Sequence, residues 1–419
     1  MILNRLKAIG PGAIVAAAFI GPGTLTVASK AGGQFGFSLL WAVAFSTFAC
    51  LVLQEMSARL GVIAQVGVGE SIAKTFHSPL LKPLIVGLVL AAVLVGNAAY
   101  ESGNLSGGVL GAKLASQQQD LGFWKLAIVL SMAAVAFGLL WTAKYKVIER
   151  ALIVLVAGLG GVFLTAAVLV RPDLSQIANG LLAPQIPEHG WLMVVALIGT
   201  TVVPYNLFLH ASAVKERWAT EDDLVNARLD TALSVIGGAI ITAAILIVAT
   251  PYAVTPPANV DAVPLAAGQS VELGAVFQAS SVKLGSWFSC FLAVGFCIAG
   301  LSSAITAPLA AAYVTAELFG WPKELADWRF RVVWISVLVS GVSFALFVQQ
   351  PQQLIVFAQV ANGLLLPVVA VFLIWVANDE KVLGRHKNSW LVNFLGITVV
   401  LVTLGLGLVG VLKAFKVIV

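Results

Sequence analysis

AAAFIGPGTLTVASKAG, residues 16–32, and ALIGTTVVPYNLFLHASAV, residues 196–214, are long apolar runs that are each interrupted in the middle. Gly21, Pro22 and Gly23 break the first, and Pro204 breaks the second. Proline removes a backbone donor and clashes with the preceding turn, and glycine weakens a helix. A lipid-facing helix cannot leave backbone groups unpaired. Such breaks therefore persist only inside protein or along a watery cavity. A pair of breaks in corresponding places of the two halves points to a transporter's substrate site.

The rest of the chain fits that reading. Of its 419 residues 60% are hydrophobic and only 10% charged, against about 25% charged in a soluble domain. The mean hydropathy is +0.99. Eleven apolar spans of roughly 20 residues, each long enough to cross the hydrocarbon core, fall near 10–32, 37–60, 80–103, 123–142, 147–170, 190–213, 229–251, 286–318, 329–349, 352–376 and 390–415. Of the 24 lysines and arginines, 17 lie at span ends that share one side with the N-terminus, and Lys30, Lys113, Lys125, Arg171, Lys283, Lys413 and Lys416 fall on the other. This bias predicts a cytoplasmic N-terminus and, with eleven spans, an external C-terminus. The net charge of +5 reflects that topology and not a nucleic-acid surface. The first span lacks the cleavage site of a signal peptide.

The chain reads as one transmembrane domain over 1–419. Its first repeat covers about 10–170, its second about 190–376, and an added span about 390–415. Each repeat holds an odd number of spans and a break in its first member, which inverts one repeat relative to the other. The expected fold is an all-α polytopic membrane protein with the LeuT-type five-plus-five inverted repeat, broken spans 1 and 6, and an eleventh span. The long connection from Pro251 to Ser286 is a surface loop or a lid. WATEDDLVNARLD, residues 218–230, is expected to form a charged helix leading into span 7. Cys50, Cys290 and Cys297 lie in apolar spans and read as small buried hydrophobes.

Seven strings occur in a characteristic order: GPGAIVAAAFIGPGT from Gly10, GGQFGFSLLW from Gly32, LQEMSARLGV from Leu53, PYNLFLHASAV from Pro204, NARLDT from Asn226, GLSSAIT from Gly300 and VFAQVANGLLLP from Val356. The series resembles the Nramp (natural resistance-associated macrophage protein) family of proton-coupled divalent metal transporters over most of the chain. The site strings depart from the family. Where it carries Asp-Pro-Gly-Asn this chain has Gly21, Pro22, Gly23 and Thr24. Where it carries Met-Pro-His-Asn the chain has Val203, Pro204, Tyr205 and Asn206. The resemblance implies a substrate site formed by Gly21, Gly23, Thr24, Thr200, Val203, Tyr205, Asn206, Gln359 and Asn362. It also implies a proton route through Glu101 and His210.

The departures matter chemically. A divalent ion near the bilayer centre needs anionic compensation, and a thioether favours transition metals over hard ions. The chain lacks both at these positions, so no metal ligands are assigned, and a neutral hydrogen-bonding pocket remains. The half-helix that starts at Gly23–Thr24 directs its free N–H groups into that pocket, which suits a carboxylate. The residues thus favour a small polar or zwitterionic organic solute. The resemblance keeps a divalent ion (Mn, Fe or Mg) open. Glu55 and Arg59, spaced i, i+4, read as an ion pair or gate brace; Glu149 and Arg150 are expected to help close the inner side, and Asp230, beside Arg228, reads as a cap or an intracellular gate pair. No hydrolase triad, zinc cluster or phosphate loop is present. The expectation is a transporter and not an enzyme, with no cofactor. It would be a monomer in a bacterial inner membrane, most readily coupled to H⁺.

Overall fold

Residues 10–75, 81–116, 118, 120–142, 144–254, 273–285, 287–347 and 350–415 are described by a computed structural model. Span 1 is two helices, α1 (Pro11–Phe19) and α2 (Pro22–Phe35), meeting at a 54° bend. The bend follows from sequence. Ile20 leaves the helical region, Gly21 is extended, and Pro22 opens α2 at a position where a missing N–H costs nothing. Span 2 is α3 (Leu40–Arg59), prolonged by a π-helical turn, Leu60–Ala64. A short helix, α4 (Val68–Thr75), leads to span 3, α5 (Leu81–Ser116), which runs well past the expected 80–103. Spans 4 and 5 are α6 (Phe123–Trp141) and α7 (Tyr145–Val170). The connecting helix α8 (Leu174–Leu182) is capped by Asp173, whose carboxylate accepts from the Ser175 N–H.

Span 6 is α9 (Trp191–Thr201) and α10 (Pro204–Lys215). Val202 and Val203 interrupt it, with Val203 extended ahead of the proline. Its halves do not bend as far as those of span 1, the one broken pair above 40° among the described residues. Span 7 is α11 (Leu224–Val254), and the charged segment before it enters through a Thr220-capped 3-10 turn instead of a separate helix. Within the long connection lies α12 (Leu273–Leu284); residues 255–272 of the expected lid are outside the described set. Spans 8, 9 and 10 are α13 (Trp287–Phe319), α14 (Trp328–Phe347) and α15 (Pro351–Ala377). A single turn, α16 (Glu380–Leu383), precedes span 11, α17 (Trp390–Ala414). The described helices thus supply ten spans by length and apolarity, span 6 counted as one of them, or 11 with the bent pair of span 1.

The broken spans form the core. In the apolar window of span 6, 89% of residues are buried, against 28% in span 4. Every residue of α1 is buried. The outer spans present Leu88, Val95, Phe137, Val154, Phe344 and similar side chains to lipid. Two expectations change here. Cys290 and Cys297 are exposed on that outer surface, because the first turns of α13 face lipid; only Cys50 is buried. Lys30, expected as an outer-side charge at the end of span 1, has a buried side chain on α2. Span 6 touches span 10 through reciprocal glycines. A Cβ on Gly199 would lie 2.0 Å from the Gln359 carbonyl, and one on Gly363 would lie 2.5 Å from that of Val195. Small residues let these backbones meet, which sets Thr200 and Gln359 on one shared interface.

Candidate substrate site at the broken spans

The break in α1 exposes carbonyls that side chains then cover, as a helix end requires. The Thr24 hydroxyl donates to the Phe19 carbonyl. It also lies 2.8 Å from the Thr200 hydroxyl. Since a hydroxyl carries one hydrogen, Thr200 is the donor in that pair. The Ala18 carbonyl accepts from Tyr205 at 3.3 Å and from Tyr100 at 3.5 Å, and the two phenol rings meet edge to face at 5.5 Å. Asn206 donates through Nδ2 to the Val15 carbonyl at 3.0 Å. One α10 turn therefore holds the last turn of α1.

Gly21 and Gly23 allow two other helices to close on the break. A Cβ at Gly21 would lie 2.3 Å from Ser303 Oγ on α13, and one at Gly23 would lie 2.2 Å from Gln359 Nε2 on α15. Asn362 sits one turn beyond Gln359, and Val203 contributes only a buried apolar wall. Of the nine expected residues, Gly21, Gly23, Thr24, Thr200, Tyr205, Asn206 and Gln359 make contacts at the break of α1, whereas Val203 and Asn362 are buried without a contact to it. Several polar atoms in this layer have no protein partner: Asn206 Oδ1, Gln359 Oε1, Asn362 Nδ2 and Ser303 Oγ. A buried polar atom left unpaired costs about 1–3 kcal/mol, so these atoms are poised to bind something polar. The set is hydroxyl, amide and carbonyl throughout. Among the described residues no group of three His, Cys, Asp or Glu side chains could hold a metal ion.

The two expected proton-route residues lie on separate interfaces. Glu101 is fully buried, accepts from Asn104 Nδ2 at 3.1 Å through Oε2, and has no partner for Oε1. Its stem packs against Gly341 of α14, where an added Cβ would fall 2.3 Å from Glu101 Cγ. His210 is buried on α10, with Nε2 3.3 Å from the Thr231 hydroxyl of α11 and Nδ1 unpartnered. A crevice of about 500 Å³ opens beside Glu101 between α5, α14 and α15. Its lining of Leu94, Val337, Phe344 and three serines faces lipid and is not the broken-span site.

The end of the bundle that carries Gly10 is tied shut by charge. Asp230 does not pair with Arg228. It accepts from the Gly10 N–H at 2.9 Å and the Gly12 N–H at 2.6 Å, capping α1 from 218 residues away. Arg228 instead meets Glu55 at 2.7 Å, and Arg59 meets the same carboxylate at 3.1 Å. Glu149 pairs with Arg217 at 3.3 Å, and Arg150 is exposed outside the cluster. A second latch was not foreseen. Buried Glu317 accepts from Ser212 at 2.6 Å and from the Gly69 N–H at 3.0 Å, with Lys323 4.0 Å away and also bonded to Glu70. Burial alone would lower the Lys323 ammonium, but Glu317 and Glu70 hold it above its ordinary value. The clue in sequence was Gly67-Val68-Gly69, whose missing side chains admit the Glu317 carboxylate.

The Nramp model, described as natural resistance-associated macrophage protein-like, matches residues 12–413. The chain belongs to the Nramp family. It is 23% identical over 423 residues to the divalent metal cation transporter MntH of Burkholderia ambifaria, covering 99% of this chain and 90% of that one. It is 26% identical over 415 residues to MntH of Latilactobacillus sakei, covering 96% and 88%. The Eremococcus coleocola manganese transporter, solved with an aromatic bis-isothiourea compound, aligns with a TM-score of 0.76 at 19% identity, over 98% of this chain and 87% of that one. MhsT, solved with L-phenylalanine, aligns with a TM-score of 0.62 at 15% identity, over 96% and 98%. The fold of this Nramp chain is the LeuT-type one.

Proposed function

We propose that this Nramp chain is a secondary active transporter whose cargo is a divalent metal ion, held as a hard, hydrated ion. The relatives are named as divalent metal transporters. Their names support a metal cargo over the small organic solute that the residues alone favour. The observation that carries the choice of ion is the uncharged oxygen layer at the breaks. Asn206 Oδ1 and Gln359 Oε1 have no protein partner, Gln359 packs on Gly23, and the Thr24 and Thr200 hydroxyls meet at 2.8 Å. Mg²⁺ gives up its waters reluctantly, and those waters donate well to amide oxygens. Keeping its shell also avoids the cost of a bare charge in a neutral site. Val203 offers none of the soft ligation that retains Mn²⁺ or Fe²⁺.

Coupling to H⁺ follows from Glu101, an intramembrane carboxylate with one free oxygen. The Gly10 end is the cytoplasmic face, by the distribution of basic residues. The protein acts as a monomer in a bacterial inner membrane. A second reading, a carboxylate-bearing or zwitterionic solute, is favoured by one observation: Lys30, a buried cation on α2. The deciding experiment is uptake into proteoliposomes of Mg²⁺ and Mn²⁺ under an imposed pH gradient. Saturable, gradient-driven Mg²⁺ uptake that exceeds Mn²⁺ uptake is expected. No saturable uptake of either ion would remove the metal reading and leave the solute.

A further inference from the structure

We infer that Lys30 and the outer half of span 1 form an anion site that holds a carboxylate, so that a carboxylate-bearing anion crosses the broken spans. This rests on the reading of those spans as the cargo site. Lys30 is only 5% exposed. It follows Gly23 by seven residues, close to two helical turns. It therefore shares the α2 face on which Gly23 meets Gln359, opposite the face where Gly32 backs onto the Leu246 carbonyl. Side chains on a helix lean toward its N-terminus, which directs the Lys30 stem back toward the break. Thr26, between them on that face, and Ser29 beside Lys30 both have buried hydroxyl oxygens with no protein partner.

Lys30 differs from the other buried charges. Arg59 pairs with Glu55 and Asn388, Asp230 caps α1, Glu317 bonds to Ser212 and Gly69, and Glu101 accepts from Asn104. No acidic side chain among the described residues pairs with Lys30. The Lys30 side chain is buried along its length while its ammonium keeps some access and has no counter-ion among those residues, and a cation placed so within a membrane protein marks a functional position. The first N–H groups of α2, at Gly23 and Thr24, lie at the lower end of the same face and also favour negative charge. None of the residues named at the break is acidic. Free carboxylate and a carboxylate chelating a divalent ion share this chemistry. In the second case the cargo brings the acid that the site lacks.

The test uses the full-length protein in detergent, with thermal unfolding read against citrate, succinate, chloride, Mg²⁺, and Mg²⁺ with citrate. A ligand of the native state raises the unfolding temperature by mass action. A concentration-dependent rise with a carboxylate is expected, weakened at least tenfold in apparent affinity in Lys30→Met and largely kept in Lys30→Arg. A response to citrate alone identifies the free anion, and a response only to Mg²⁺ with citrate identifies the chelate. Equal responses in the parent and Lys30→Met, no carboxylate response at millimolar concentration, or an equal response to chloride would overturn the site. If Lys30→Met does not fold, Lys30→Gln replaces it. The two proposals fail separately. Normal Mg²⁺ uptake without carboxylate binding removes only the anion site, whereas Lys30-dependent carboxylate binding without any metal uptake removes only the metal cargo.

Discussion

Asp230→Asn is expected to unlatch the first span. The carboxylate is 2% exposed and accepts two N–H groups, Gly10 at 2.9 Å and Gly12 at 2.6 Å. Hydrogen bonds to a charged group contribute about 1.5–3 kcal/mol each, and the positive end of a helix adds up to about 2 kcal/mol in a partly buried setting. Asparagine keeps one acceptor oxygen but presents an amide NH₂ to the other N–H, and it carries no charge. Losing one bond and the charge–dipole attraction amounts to about 2–4 kcal/mol. If that free energy holds the Gly10 end closed, opening rises about 30- to 1000-fold, at 1.4 kcal/mol per decade. The assay places a cysteine at Ala16, which is 4% exposed, after Cys50, Cys290 and Cys297 are changed to serine. Maleimide labelling from the Gly10 side then reports opening. Glu149→Gln is the comparison. Its bond to a partly exposed Arg217 is 3.3 Å, and such pairs contribute under about 1 kcal/mol, so labelling should rise less than about fivefold. A labelling rate in Asp230→Asn within threefold of the parent would refute the latch.

Gly23→Leu should abolish transport while expression survives, since even its Cβ would lie 2.2 Å from Gln359 Nε2. Gly96→Leu, where nothing lies within 4 Å, is the packing control, and equal loss in both would place the damage outside the break. Gly12 is unsuitable as a control because a Cβ there would lie 2.7 Å from the Asp230 carbonyl. Gly21→Asp with Thr24→Asn and Val203→Met should create Mn²⁺ binding measurable by calorimetry. The binding should be tighter when Ser303→Ala is added, because Ser303 Oγ lies 2.3 Å from the new Cβ; binding in neither variant would show that ligand identity is not the barrier. Glu101→Gln should end pH-driven accumulation and leave cargo binding intact, and unchanged accumulation would point to a coupling ion other than H⁺.

The fold was legible because a bilayer restricts what a sequence can do. Apolar length marks each span, and the Gly-Pro-Gly interruption marks the bend at Gly21. Depth was harder to read. Lys30 was placed at the outer end of span 1, but α2 continues to Phe35 and the Lys30 side chain is buried against the bundle. Span 3 was placed at 80–103, while α5 continues to Ser116 through NLSGGVLGAK. Its glycines are seats for neighbours. A Cβ on Gly107 would fall 2.4 Å from Pro22, and one on Gly111 would fall 2.6 Å from the Ala293 carbonyl. Glycine signals a break or a close approach, and only the partner helix tells which.

At the site, residue types were legible and their partners were not. Tyr205 could be named from its place after Pro204, but its hydrogen bond to Ala18 crosses 187 positions. Asp230 was read as a cap or a gate pair beside Arg228, but the helix it caps could not be named, and the fold brings it to the bare N-terminus of α1. These two contacts act on opposite ends of one nine-residue helix. Tyr205 and Thr24 cover its last carbonyls, and Asp230 covers its first N–H groups. A cargo that takes the Thr24 and Tyr205 groups for itself uncovers those carbonyls, which removes what holds the inner end of the helix. Release of α1 at the break and release at Asp230 are therefore coupled through a rigid element about 14 Å long. Cargo affinity should accordingly change in Asp230→Asn although residue 230 touches no part of the site. A variant that opens more often yet binds cargo as the parent does would show that the two ends of α1 move independently.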